Sequence, residues 1–124
     1  MLTVLHICPA GHWERVPVGG HYRADSLVEE GFVHCSDRGT VHLPANRLYV
    51  GRTDLVLLEI DIAGLEVRWE PPVRSAPTEG PWFPHVYEPI PSAAVVAVHE
   101  FQPDGGGLFH VPESLAVSHT TNIV

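Results

Sequence analysis

The sequence predicts an α+β fold, in which a largely antiparallel sheet carries a few short helices. The helical stretches in the first half of the chain are short and interrupted, for example by Pro17 and Pro44. Strand patterns dominate the second half, above all at 55–62 and 93–101. Helices and strands that are grouped in this way, without a regular β-α-β alternation, are typical of α+β domains.

The first half of the chain is expected to alternate short strands with short helices. Residues 2–7 form an apolar strand pattern that His6 interrupts and Pro9 bounds. Gly31 directly follows a helical pattern, where a glycine suits the positive φ that often ends a helix. The elements expected after the first strand are a helix over 10–18, a helix over 27–30, a strand over 31–36 and a helix from 37 or 40 to 48–50.

The second half contains the clearest strand pattern. Residues 55–62 begin with four consecutive apolar residues, which indicates a central strand of a sheet. The other segments expected here are a half-buried strand over 65–70, a proline-rich loop over 71–81, a short strand over 83–87 and a last strand over 93–101.

Composition and charge narrow the functions open to this single domain. The domain is expected to cover residues 1–102, and residues 103–124 form a tail that is either part of it or weakly ordered. The net charge is −8, and all seven basic residues are arginine. Such a surface repels polyanions, so broad binding of nucleic acids is not expected. Without any lysine, the chain cannot form a Schiff base or use a phosphate-loop lysine.

The N-terminus and the cysteines indicate a cytoplasmic protein. The chain shows neither the basic start and cleavage site of a signal peptide nor a run of 18 apolar residues that predicts a membrane helix. Cys8 and Cys35 are therefore expected to be free thiols, because disulfides form mainly in oxidising compartments.

The segment 31–36 carries the first candidate site residues. On a strand, His34 and Ser36 point to the same face, whereas Cys35 points to the other. A strand that buries one face and presents a histidine and a serine on the other is a candidate floor of a cleft. The alternative is that both side chains are hydrogen-bonded for structural reasons.

Three further residues are candidates for chemistry. Burying His6 in an apolar strand without a partner costs about 1–3 kcal/mol, so it is expected to open to a cleft or to meet a polar group. Glu70 ends a strand, where a carboxylate can act as acid, base or orienting group, or remain an exposed charge. His85 belongs to an aromatic patch that either stacks on a planar ring of a ligand or is part of the core. The other members of this patch are Trp82, Phe83 and Tyr87.

These candidates are expected to share one pocket without a metal. The chain contains nine histidines, but no two pairs of ligands show the spacing of a zinc site. The pocket prediction places His6, His34, Ser36, Glu70 and His85 around one concave surface, with Tyr22 and Trp82 as walls. The alternative is a set of separate structural histidines.

Several short segments occur in an order that characterises a known family. They are Leu5-His6-Ile7, Trp13, Tyr22, Ser26-Leu27, residues 30–36, Asn46, residues 55–61, Trp69-Glu70 and residues 83–87. Through these segments the chain resembles the bacterial family called Domain of Unknown Function 952. The resemblance leaves out the tail after Gln102.

The resemblance implies a split, mostly antiparallel sheet of the ADP-ribosyltransferase-like kind. RNA 2′-phosphotransferases of that superfamily have a strand with His-Gly-Thr and a later strand with Val-His-Leu-Ser. His6 and the segment 33–36 take these two places. By this resemblance His6 meets a ribose of NAD, and His34 and Ser36 line the same cleft.

Three functions follow as hypotheses. The first is a small enzyme that binds NAD or a related nucleotide and carries out ADP-ribosyl-transfer-like chemistry. In it Tyr22 or Tyr87 stacks on a ring of the ligand, and Glu70 stabilises a developing cation. The second is a nucleotide-binding module without catalysis. The third is an acid–base enzyme that acts on a small molecule in a specialised biosynthetic pathway.

Overall fold

The computed structural model describes residues 1–71 and 80–115. In chain order these residues form β1 (Thr3–Pro9), α1 (Ala10–Glu14), β2 (His21–Tyr22), α2 (Asp25–Glu29), β3 (Val33–His34), α3 (His42–Leu48), β4 (Leu55–Asp61), β5 (Val67–Glu70), β6 (Phe83–Val86), β7 (Ile90–Pro91), a short 3-10 helix (Ser92–Ala94) and β8 (Val95–Phe101). Within these described residues, every helix is too short or too polar to cross a lipid bilayer.

The strands confirm the prediction of an α+β fold with mostly antiparallel sheets. One sheet has the order β1-β4-β8, a second has the order β3-β6-β5, and β2 pairs with β7 in a short ribbon. All of these pairings are antiparallel. An isolated bridge between Leu5 and Ser36 joins the two larger sheets. The β-structure is therefore split, with β1 and β3 next to each other at the split.

The β1-β4-β8 sheet separates two apolar clusters. Val4 on β1 and Leu58 on β4 belong to the first cluster, and their neighbours Leu5 and Leu57 belong to the second. Successive side chains of a strand point to opposite faces, so both faces of β4 are buried. This explains why the apolar run at the start of β4 is continuous rather than alternating.

Prolines account for the lengths of two helices. α1 ends at Glu14, earlier than predicted, because the residue before Pro17 is disfavoured in the helical region. α3 instead runs through Pro44, which occupies the third position of the helix. The N–H groups of the first helical turn have no intrahelical partner, so a proline there costs no backbone hydrogen bond.

Residues 103–115 pack onto the domain rather than extend away from it. Phe109 and Leu115 are buried in the second cluster. The side chain of Asn46 on α3 accepts a hydrogen bond from the N–H of Phe109 at 2.6 Å and donates one to its carbonyl at 3.0 Å. Of the remaining predictions, most of the expected loop 71–81 and the last part of the tail, 116–124, lie outside the described residues.

Candidate functional site

A cleft of about 640 Å³ opens at the split between β1 and β3. Leu5 and Ser36 exchange two backbone hydrogen bonds of 2.7 Å each. Continuing this antiparallel register would pair Ile7 with His34. Instead, the carbonyl oxygen of His34 lies 2.6 Å from Nδ1 of His6. The ring of His6 thus takes the place of a backbone partner, and the two strands diverge there.

Several elements line the cleft. β1 and the residues around Ser36 form its floor, β3 and β6 form one wall, and α3 with the turn after it forms another. α1, β2 and the start of α2 complete the lining. The polar and aromatic members of the lining are His6, His12, Tyr22, Asp25, Ser26, His34, Ser36, Arg47, Tyr49, Arg52, Phe83 and His85.

His6 is buried and held by both ring nitrogens. A carbonyl oxygen only accepts, so Nδ1 of His6 must donate to the carbonyl of His34. Nε2 then has a lone pair and accepts the hydroxyl hydrogen of Tyr22 at 2.8 Å. Burial lowers the pKa of His6 to about 4, which the bond to His34 offsets only in part. His6 is therefore a neutral ring at neutral pH, and Tyr22 meets it from the side of the first cluster.

His34 and His85 form a pair across the β3–β6 ladder. They are directly opposite in the antiparallel register, so their side chains lie on the same face. Their ring centroids are 5.4 Å apart in an edge-on arrangement. Phe32 contacts both rings, stacking on His85 at 4.0 Å and meeting His34 edge-on at 4.8 Å. The phenyl ring thereby fixes the position of both imidazoles.

Each ring of this pair is also bound to a carboxylate. Nε2 of His34 lies 2.6 Å from the carboxylate of Glu30 at the end of α2. Nδ1 of His85 lies 2.9 Å from Oε1 of Glu70, at the end of β5. The hydroxyl of Tyr87 donates to the same Oε1 atom of Glu70. These partners leave Nδ1 of His34 and Nε2 of His85 without a hydrogen-bond partner among residues 1–71 and 80–115.

Electrostatics favour a neutral His85 and an ionised Glu70. Burial lowers the pKa of His85, although the hydrogen bond to Glu70 acts in the opposite direction. The hydrogen bond from Tyr87, followed by that from His85, lowers the pKa of Glu70. A neutral imidazole whose Nδ1–H points to a carboxylate has a basic Nε2. This is the arrangement of a histidine that accepts a proton.

The structure brings five of the predicted site residues to the cleft. They are His6, Tyr22, His34, Ser36 and His85. Glu70 and Tyr87 lie behind His85 and contact the cleft only through it. Trp82 is 46% exposed and is not part of the lining, whereas its neighbours Pro81 and Phe83 are.

Several residues of the site were missed in the sequence. Glu30 is four residues before His34, and this spacing brings two side chains together on a helix. The sequence predicts that the helix ends at Gly31, between the two residues, so the spacing does not predict their contact. Phe32 lies within the strand expected over 31–36, and no pattern there indicates that it contacts two histidines. Arg47 lies in the last turn of α3, and Tyr49 and Arg52 come after that helix. No local pattern in the sequence indicates that this helix borders the cleft.

The structure also shows the state of the two cysteines and the arrangement of possible metal ligands. Cys8 and Cys35 are both buried and both free thiols, which confirms the prediction. Burial raises the pKa of Cys8 to about 11 and raises that of Cys35 as well. Within residues 1–71 and 80–115, no group of three or more His, Cys, Asp or Glu side chains is arranged to hold a metal ion.

Comparisons with known proteins agree on the family and the fold. The sequence model of the family described as "Protein of unknown function (DUF952)" matches residues 7–98. The crystal structure of protein CC0527 from Caulobacter crescentus has a TM-score of 0.77 at 24% identity, over 93% of this chain and 99% of that one. Its solution NMR structure has a TM-score of 0.74 at the same 24% identity, over 94% and 99%. No curated protein matches the chain.

Proposed function

The chain belongs to the DUF952 family, and we propose that it is a small enzyme that binds a nucleotide in the cleft and performs acid–base chemistry with His34 and His85. The observation that carries this proposal is the pair of imidazoles, each bound to its own carboxylate and both facing one cleft. A carboxylate that holds one ring nitrogen fixes the tautomer and orientation of a histidine that transfers protons.

His85 acts as the base. Its Nδ1–H is held by Glu70, so Nε2 accepts the proton of a substrate hydroxyl or a water molecule. The Glu70 carboxylate stabilises the imidazolium that results. The hydroxyl of Tyr87 donates to the same oxygen of Glu70 and so helps to fix the carboxylate. The guanidinium of Arg68 lies 4.4 Å from the centroid of the Tyr87 ring and packs on that ring.

His34 acts as the acid. Its ring is 46% exposed, so it exchanges protons with water, whereas the side chain of His85 is only 3% exposed. The charge on one ring disfavours a charge on the other, because the two rings are neighbours. The two rings therefore do not readily carry a charge at the same time, which suits a division of roles between an exposed donor and a buried acceptor.

The size and lining of the cleft support a nucleotide as the ligand. Pockets for small ligands and cofactors commonly enclose roughly 300–1,000 Å³ and are mostly apolar with a few fixed polar groups. This cleft has that size, and it offers aromatic rings at Tyr49 and Phe83 for stacking a base. Ser36 and the histidines supply polar contacts for a ribose.

ADP-ribosyl transfer from NAD is the second candidate. It is supported by the direct contact between the His6 strand and the segment 33–36, the two segments that resemble the RNA 2′-phosphotransferases. In this reaction the bond between ribose and nicotinamide breaks and nicotinamide leaves, while the oxygen of an acceptor hydroxyl bonds to the ribose and its proton passes to His85. His6 would then act by holding His34 in position, since both of its nitrogens are engaged within the protein.

Calorimetric titration with AMP, ADP, ADP-ribose and NAD, followed by chromatography of each mixture, tests the proposal. We expect at least one of these nucleotides to bind and to be converted, and we expect His85→Asn to abolish conversion while binding is retained. Release of nicotinamide from NAD selects the second candidate. Binding without any conversion would contradict the proposal of an enzyme and would support a nucleotide-binding module without catalysis.

A further inference from the structure

The charges that line the cleft differ from those of the whole chain. The protein carries 15 acidic and 7 basic side chains. Among the described residues that line the cleft, Asp25 is the one acidic side chain, whereas two arginines, Arg47 and Arg52, and four histidines are present. The other acids at its border are engaged: Glu30 binds His34, Glu70 binds His85, and Asp54 binds Arg52. The described lining therefore carries two guanidiniums against one carboxylate, in contrast to the excess of acids in the chain as a whole.

The two arginines lie on the same wall of the cleft. Arg47 belongs to the last turn of α3, and Arg52 follows in the turn that leads to β4. Asp54 holds Arg52 through two contacts, from Nε at 3.0 Å and from Nη2 at 2.6 Å. The guanidinium of Arg52 also lies 5.6 Å from the centroid of the Tyr49 ring. Its orientation is fixed, but a carboxylate already neutralises part of its charge.

Among the described residues, Arg47 differs from Arg52 in that no carboxylate pairs with it. It is exposed, and it forms no ion pair with any residue in 1–71 or 80–115. A structural explanation exists, since a positive charge is favourable at the C-terminal turn of a helix. That explanation accounts for the position along α3, but not for the excess of guanidiniums over carboxylates among the described lining residues.

We propose that Arg47 and Arg52, which both line the cleft, form the subsite for the phosphate or diphosphate group of the ligand. The inference rests on the proposed function and assigns the residues that bind the charged end of its nucleotide. A guanidinium is suited to this task because its planar fork donates two parallel hydrogen bonds to phosphate oxygens. Asp54 fixes the orientation of the Arg52 guanidinium, and Arg47 supplies the charge that the phosphate neutralises.

Calorimetry with inorganic pyrophosphate, ADP and adenosine tests the subsite apart from catalysis. We expect pyrophosphate to bind the wild-type protein and ADP to bind roughly tenfold more tightly than adenosine. Arg47→Gln should weaken the binding of ADP and of pyrophosphate by roughly tenfold and leave adenosine unaffected. The wild-type affinity for ADP should fall as salt is added, because exposed charges are screened.

Arg15→Gln is the matched control, since Arg15 is exposed and lies outside the cleft. It removes the same charge and should bind all three compounds like the wild type. The subsite is wrong if pyrophosphate fails to bind, or if Arg47→Gln and Arg15→Gln bind ADP equally well. Failure of the proposed acid–base function is recognised separately, as nucleotide conversion that is absent or that His85→Asn does not change.

Discussion

The Nδ1 atom of His6 donates a hydrogen bond of 2.6 Å to the carbonyl oxygen of His34, where the strand register calls for a backbone N–H from Ile7. The other nitrogen of the same ring accepts from the hydroxyl of Tyr22. The imidazole of His6 therefore pairs with the backbone carbonyl of His34, which is left without a strand partner at the split between the two sheets. The cleft begins at this ring, and the backbone of His34 is fixed by it.

The tautomer of His6 can be observed directly. Its partners require a hydrogen on Nδ1 and none on Nε2 at neutral pH. Long-range ¹H–¹⁵N correlation spectra of the imidazole should show one protonated Nδ1 and one pyridine-like Nε2. The signals should stay unchanged from about pH 8 to pH 5, because burial lowers the pKa of His6 to about 4. A ring that titrates near its ordinary value would contradict the assigned contacts.

Replacing His6 should destabilise the fold. His6→Ala leaves the carbonyl of His34 and the hydroxyl of Tyr22 without partners and opens a cavity. Each buried group left unpaired costs about 1–3 kcal/mol, so the free energy of unfolding should fall by roughly 2–5 kcal/mol. Urea unfolding measures this. His110→Ala is the control, because its side chain is 72% exposed and forms an exposed ion pair with Asp104, so its loss should cost no more than about 1 kcal/mol.

Stability should also depend on pH through His6. The unfolded state accepts a proton near pH 6.5, whereas the folded state does so only near pH 4. The free energy of unfolding is therefore undiminished above about pH 6.5 and falls by about 3 kcal/mol between pH 6.5 and 4, at about 1.4 kcal/mol per pKa unit. Urea midpoints compared between wild type and His6→Gln isolate this contribution. If both proteins lose stability equally over this range, His6 is not its source.

The two thiols should react slowly while the protein is folded. Burial raises the pKa of both Cys8 and Cys35, and the thiolate is the reactive form. Mass spectrometry after alkylation at neutral pH should find little modification of the native protein. In urea it should find two modified cysteines without prior reduction. A mass lower by two protons would instead reveal a disulfide.

Part of the site was predictable because it depends on local sequence. Alternation along a strand places His34 and Ser36 on one face, and the cost of burying a polar ring required a partner for His6. That partner could not be derived, since the carbonyl of His34 is 28 residues away in sequence. The hydroxyl of Tyr22 on Nε2 is equally a product of packing.

The rest of the site depends on which elements become neighbours. His85 meets His34 because β3 pairs with β6 in one register, and Glu70 reaches His85 because β5 pairs on the other side of β6. No period or motif in the sequence specifies these registers. The same holds for Arg47 and Arg52, which reach the cleft because α3 packs beside Leu5 in the second cluster.

The most direct test of the account is the pH profile of nucleotide conversion by wild type, His85→Asn and Glu70→Gln, with His110→Asn as control. If His85 is the base, its loss should lower kcat by about 10²- to 10⁴-fold with little change in KM. Glu70 raises the pKa of His85, so Glu70→Gln should lower kcat and move the acid limb of the profile to lower pH. The account is contradicted if His85→Asn converts the nucleotide as fast as His110→Asn does.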